Sequence, residues 1–229
     1  MKRLLPVVVL LALLAAGSAR AVLQPGDIAI LGQNADTPDE FAFVALTDIA
    51  DGEVITFTDN GWTGTALANT EGSVTYTVSG GLARGTVVDI TSVGSMALAT
   101  SGDQILAYQG DASSPTFIYA LNINGAGVWQ AGAPDSNSSA LPSGLVNGET
   151  AVAVNELDNV VFTNILATGT RCDWLLAIGN RLNWTGSDSA LQVMPTGPFT
   201  VTADACSFGP QTNLQFEGTA ATLAENGGA

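Results

Sequence analysis

The chain has 229 residues, a net charge of −15, no histidine, and only six lysines and arginines against 21 aspartates and glutamates. Lys2, Arg3 and Arg20 lie within the first 21 residues, so residues 22–229 carry −18 and keep only Arg84, Arg171 and Arg181 as cations. That composition excludes a Ser-His-Asp or Cys-His nucleophile, a His-ligated zinc and a lysine nucleophile. It leaves carboxylate, hydroxyl and amide chemistry, which suits Ca²⁺ or sugar binding, and it repels nucleic acid and anionic lipid.

Residues 1–21 read as a secretory signal peptide. Lys2 and Arg3 form the charged start, Leu4 to Ala16 the apolar run, and Ala19-Arg20-Ala21 an A-x-A cleavage site. The run is shorter than the roughly 18 residues a spanning helix needs, and no later segment is long and apolar enough to span. Residues 22–210 are expected to fold as one domain and 211–229 to form a loose tail. With 46% hydrophobic residues the chain has enough apolar material for a core.

The apolar pattern that follows has period two, which predicts strands. They are Asp27–Leu31, Phe41–Leu46, Val54–Thr58, Ser73–Val78, Thr86–Ile90, Gln104–Tyr108, Thr116–Leu121, Thr150–Val154, Val160–Phe162 and Phe199–Thr202. Short strands punctuated by Gly, Asn, Asp and Ser indicate a sandwich or barrel. Residues 122–148, rich in Asn, Gly, Ser and Pro, form a long connection and the expected binding loop. Asp173–Asn180 breaks the pattern and predicts one short helix in the C-terminal third, capped by Thr170 or Asp173 and ended by Gly179-Asn180. Cys172 and Cys206 are the two cysteines. In an exported protein they pair most simply as one disulfide, closing a loop that stabilises by about 3–4 kcal/mol.

The segment PGDIAILGQNADTPDEFAFVALTDIADGEVITFTDNGWTG (25–64) joins SGDQILAYQG (101–110), ALPSGL (140–145) and NWTGS (183–187). Together they resemble a secreted bacterial β-sandwich module similar to the lamin-tail-like domains of large extracellular proteins. The resemblance implies export and an immunoglobulin-like β-sandwich. It implies no activity for the module itself.

Several residue groups are candidates for binding. Asp36, Asp39 and Glu40 crowd three carboxylates into one loop, which favours either a bound cation or an exposed acidic turn. Asp59 and Asn60 add oxygens to the same cation if the second and third strands pair; otherwise Asn60-Gly61 is a type I′ turn. Asp135 and Asn137 copy part of the oxygen spacing of a calcium loop, without its glycine or its closing acid. Trp129, in the long connection, is the tryptophan best placed to stack on a sugar. Trp62, Trp174 and Trp184 are expected in the core or its rim. Glu156 and Asp158 are candidate paired carboxylates of a glycosidase. Arg171 and Arg181 flank the helix and are expected to tie it to the sandwich.

The expected protein is thus an all-β, exported, non-catalytic binding, adhesion or matrix module stabilised by Ca²⁺. Its expected partner is an extracellular protein or a glycan, and self-association through a sheet edge is open. A carbohydrate-binding module is the first alternative. A carboxylate-based hydrolase or metal-dependent phosphoesterase is the second, and it lacks the positive group such sites use to stabilise charge.

Overall fold

The computed structural model describes residues 22–203. The expected signal peptide, the expected 211–229 tail and Cys206, with its expected disulfide to Cys172, lie outside the described residues. Two five-stranded sheets pack face to face. In the first, β1 (Ile28–Asn34) and β2 (Glu40–Ala45) form a central antiparallel pair that is buried throughout except at Glu40. Their near-continuous apolar sequence reflects cover on both faces. β5 (Val87–Ile90) flanks β2; β9 (Asn159–Phe162) and then β11 (Trp184–Ser187) extend the sheet beyond β1. Gly32 marks the close passage of β1 and β9, because a Cβ there would meet the Val160 carbonyl at 2.6 Å.

The second sheet runs β4 (Ser73–Thr77), β3 (Val54–Thr58), β6 (Gln104–Gln109), β7 (Thr116–Asn122), β8 (Ala151–Ala153). All its pairs are antiparallel except β7–β8, whose parallel pairing requires the long connection between them. The all-β sandwich with one short helix expected from the sequence is therefore the fold.

Aromatic rings join the two sheets. Phe41 and Phe43 of β2 pack on Phe57 of β3, with centroids 4.9 and 5.2 Å apart. Tyr76 of the edge strand β4 meets Phe43 edge-on at 5.4 Å. β4 alternates exposed and half-buried residues, as a strand with one wet face should.

The short helix α1 (Arg171–Gly179) starts with a capping box. Thr170 accepts from the Asp173 amide, and the Asp173 carboxylate accepts from the Thr170 amide. Asn180 ends it in an extended conformation at φ −83°, not in the left-handed turn that the Gly-Asn pair suggests. Gly179 serves packing instead: a Cβ there would strike the Gly148 carbonyl. Trp174, fully buried on α1, stacks on Phe199 at 4.6 Å. A parallel ribbon of β10 (Gly169–Thr170) and β12 (Val201–Thr202) brings Phe199 there. Cys172 is not a free thiol. Among the described residues no helix is long and apolar enough to cross a membrane.

A second apolar cluster covers part of the outer face of the second sheet. Trp62, Leu106, Tyr108, Phe117, Ala140 and Leu145 form it, with Trp129 packed against it. It seats two irregular segments on the sheet: the excursion 59–72 between β3 and β4, and the connection 123–150 between β7 and β8.

Candidate functional site

Where those two segments meet the start of β6, acidic side chains gather. Asp59 leaves β3 fully buried. Its carboxylate accepts the Gly72 amide at 2.7 Å and the Ala97 amide at 2.8 Å, closing the excursion on itself and onto the 91–103 loop. The Asn60 amide group donates to Thr58 Oγ1 and the Gly72 carbonyl, and its Oδ1 accepts the Glu71 amide at 3.0 Å. Asn60-Gly61 is thus not a tight hairpin turn. Gly61 is needed for a close approach, since a Cβ there would collide with the Ser138 carbonyl.

Gln104, at the head of β6, sits in the middle of this region with no exposed surface. Its Nε2 faces three acceptors: the Asp59 carbonyl, the Ser136 carbonyl at 2.8 Å and Glu71 Oε2 at 3.3 Å. Its Oε1 is buried and has no partner. Next to it, Asp103 is also fully buried and accepts the amides of Ala99 and Gln104, both at 2.7 Å.

These carboxyls resist ionisation. Burial pushes Asp103 up to about 8, with Glu71 and Asp59 adding repulsion and the two amide bonds opposing it. Burial pushes Glu71 up to about 7, and the charges of Asp59 and Asp135 add to the effect. Among the described residues the three arginines are occupied elsewhere. Arg84 pairs with Asp48, Arg171 with Asp27 at 2.7 Å, and Arg181 donates to the Ala126 carbonyl at 3.1 Å. The arrangement is a cluster of buried and half-buried carboxyls that hold their protons to about neutral pH, with no arginine or lysine among the described residues beside them.

The 122–148 loop beside it is fastened by side chains. Asp135 Oδ1 accepts the Ser138 hydroxyl at 2.6 Å. Asn137 bonds Ser101 and Ser136, and the Asn124 amide group donates to the Asn137 carbonyl. Ser139 Oγ accepts the Trp62 amide at 2.9 Å. Asp135 and Asn137 thus spend oxygens on holding the loop. Trp129 is half-buried, with its indole nitrogen donating to Asn147 Oδ1 at 2.9 Å, which fixes the ring's position.

The other expected ligands disperse. β2 and β3 lie in opposite sheets and do not pair, so the condition for a joint site fails. Asp36 exchanges two bonds with Asn159. Asp39 accepts the Leu98 amide at 2.9 Å. Glu40 accepts the Asn34 amide group at 2.7 Å and faces Asp89 on β5, whose carboxyl is pushed up by burial and by Glu40.

A second acidic group forms near Asp36. Oxygens of Glu156, Asp158 and Asp188 lie within 4.8 Å of one another, on the loop before β9 and just after β11. Partial burial and mutual repulsion raise Glu156 and Asp158, with Asp36 acting on Asp158. The hollow beside them, lined by residues including Asn155, Leu157, Arg181 and Trp184, holds about 180 Å³. That is below the 300–1,000 Å³ of ordinary ligand pockets.

Sequence reasoning reached Asp59 but missed Glu71, Asp103, Gln104 and Asp188. Asp103 and Gln104 stand at a Ser-Gly-Asp turn that reads only as punctuation between strands, and Asp188 sits in a polar run with no periodicity. Compared with protein families, curated proteins and solved structures, the chain matches none.

Proposed function

We propose that the protein is an exported, non-catalytic β-sandwich module, lamin-tail-like in kind, that binds an extracellular protein or glycan and is stabilised by Ca²⁺. The observation that carries this reading is the cluster of Asp59, Glu71 and Asp103, with no described arginine or lysine beside it, set against the fastened loop of residues 122–148. Burial makes ionising these carboxyls costly, and a divalent cation coordinated by their oxygens offsets that cost. The fastened loop, carrying the fixed Trp129 ring, offers a pre-organised face to a partner.

The test is the melting temperature of the purified protein in EDTA and in millimolar Ca²⁺, with Mg²⁺ and NaCl as controls. A Ca²⁺-specific rise supports cation binding by the folded state. An equal rise in NaCl reduces the carboxylates to a solvated surface. Quenching of tryptophan fluorescence by glycans, lost in Trp129→Ala, selects the carbohydrate-binding form of the reading. Turnover of glycoside or phosphoester substrates that disappears in Glu156→Gln/Asp158→Asn selects the hydrolase class instead.

A further inference from the structure

Positive charge is scarce in the described residues, and its placement is informative. Arg84 and Arg171 are each neutralised by an aspartate. Arg181 is the described arginine with no carboxylate partner. It spends one N–H on the Ala126 carbonyl at 3.1 Å and makes no other hydrogen bond. A guanidinium carries several N–H donors in a fixed fork, so the rest stay uncommitted. Its place is shaped by the backbone. A Cβ on Gly127 would come within 2.8 Å of Arg181 Nη1 and 3.1 Å of Asn155 Oδ1. The guanidinium, the Asn155 amide and the start of the 122–148 loop thus converge on one point.

The 180 Å³ hollow lies at that point. Val154, Leu157, Val160 and the half-buried Trp184 give it an apolar wall, and Asn155 and Thr185 join Arg181 as its polar groups. The Trp184 ring is fixed. Its indole nitrogen donates to the Ile178 carbonyl at 2.7 Å, and Phe162 packs beside it at 6.2 Å. Among the described residues no carboxylate lines the hollow. Glu156 and Asp158 alternate along the chain with Asn155 and Leu157 and are not on its wall. In a chain with 21 acidic residues, a concave surface that carries an unpaired arginine and no acid favours an anion.

We infer that this hollow binds a small carboxylate on a ring-sized body. Arg181 takes the carboxylate in its fork, the apolar wall takes the C–H face of the ring, and Asn155 and Thr185 meet its hydroxyls. The volume suits a single ring, since it lies below that of pockets for larger ligands. A uronic acid at the end of a glycan and a free cyclic carboxylic acid share this chemistry. The site goes beyond the face proposed above, because none of its lining residues belongs to the 122–148 loop or includes Trp129.

The experiment is ligand-observed NMR titration of the purified protein with D-glucuronate, D-glucose and cyclohexanecarboxylate, with melting temperature read for every variant. Wild type is expected to bind glucuronate well ahead of glucose. Arg181→Gln is expected to weaken glucuronate by roughly 10–100-fold, the loss typical of a hydrogen bond to a charged group, with little change in Tm. Arg181→Lys, which keeps the charge and loses the fork, is expected to fall between the two. Thr185→Trp fills the hollow and is expected to abolish binding. Trp129→Ala is expected to keep it.

The two carboxylates separate the sources. Glucuronate bound more tightly than cyclohexanecarboxylate supports the end of a glycan, and the reverse order supports a free carboxylic acid. Glucose bound as well as glucuronate overturns the inference, and so does glucuronate binding unchanged in Arg181→Gln or in Thr185→Trp. Binding lost in Trp129→Ala but kept in Arg181→Gln overturns this location and leaves the Trp129 face standing. No binding of either carboxylate by wild type overturns the site, while the Ca²⁺ and Trp129 tests above keep their own outcomes.

Discussion

Replacing Arg171 with Ala should destabilise the protein far more than the loss of an ordinary surface arginine. Arg171 is the first residue of α1, where a cation opposes the helix dipole. It is held there by tertiary contacts. Nη1 pairs with Asp27 Oδ1 at 2.7 Å and Nη2 donates to the Pro25 carbonyl at 2.9 Å. The two side chains are only 19% and 10% exposed.

Breaking a buried pair from one side costs about 3–5 kcal/mol, because the remaining charge is stranded. The residual solvent contact of Arg171 reduces that to about 2–3 kcal/mol. For a domain of this size each kcal/mol lowers Tm by about 2–4 °C, so thermal unfolding should shift down by roughly 5–10 °C. Burial already holds the Asp27 carboxyl above its usual range, against the Gln24 amide and Arg171. Removing Arg171 raises it further. A carboxyl with a raised folded-state pKa contributes its stability below the unfolded value and loses it as pH rises. The deficit should therefore be largest at neutral pH and narrow below about pH 4.

Arg171→Ala/Asp27→Asn should recover part of the loss, because the stranded charge is gone and the Asn oxygen still accepts the Gln24 amide. An unchanged Tm in the single variant would refute this account. So would a double variant no better than the single one.

Three further outcomes are expected. In EDTA, Tm should fall between pH 5 and pH 8: Asp103 and Glu71 keep protons up to about 8 and about 7 when folded but release them near 4 when unfolded, so the folded state loses its advantage as pH rises. A flat or rising curve would contradict that burial. Phe57→Ala removes a fully buried ring between Phe41 and Phe43 and should cost about 3–5 kcal/mol in denaturant unfolding, where a cost below about 1 would mean the sheets do not share this core. Gly61→Ala drives a methyl into the Ser138 carbonyl and should loosen the 122–148 loop, seen as faster proteolysis there while the sheets stay protected from exchange.

The strands were legible because their burial is periodic or continuous over enough residues to leave a signal. Val74 and Tyr76 alternate with exposed neighbours, and Phe41–Ala45 is unbroken. β11 was not legible. Trp184–Ser187 has no alternation and becomes a strand only because β9 offers an edge. The helix was legible in its cap, where Thr170 and Asp173 are three residues apart. Its end was legible as well, at Gly179 with Asn180 as the cap, while the packing of Gly179 against Gly148, from elsewhere in the chain, was not.

The candidate site follows the same division. Composition alone removed histidine and lysine chemistry and left oxygen ligands, and Asp59 was visible as an acidic turn. Glu71, Asp103, Gln104 and Ser136 come from an excursion, a strand head and a loop with no common spacing. Sequence proximity suggested Asp36, Asp39 and Glu40 instead. The fold sends those three to Asn159, Leu98 and Asn34, because adjacent residues near a strand end point to different neighbours.

The amino-acid sequence by itself determined the chemical repertoire, the strand-rich class and the helix start, since each depends on residue type or on neighbours within a few positions. The tertiary structure alone decided which carboxylates meet, which arginine is occupied, and that Gln104 is buried with an unpartnered oxygen. Those depend on how two sheets register, and no local pattern encodes the distance between residues 59, 71, 104 and 136.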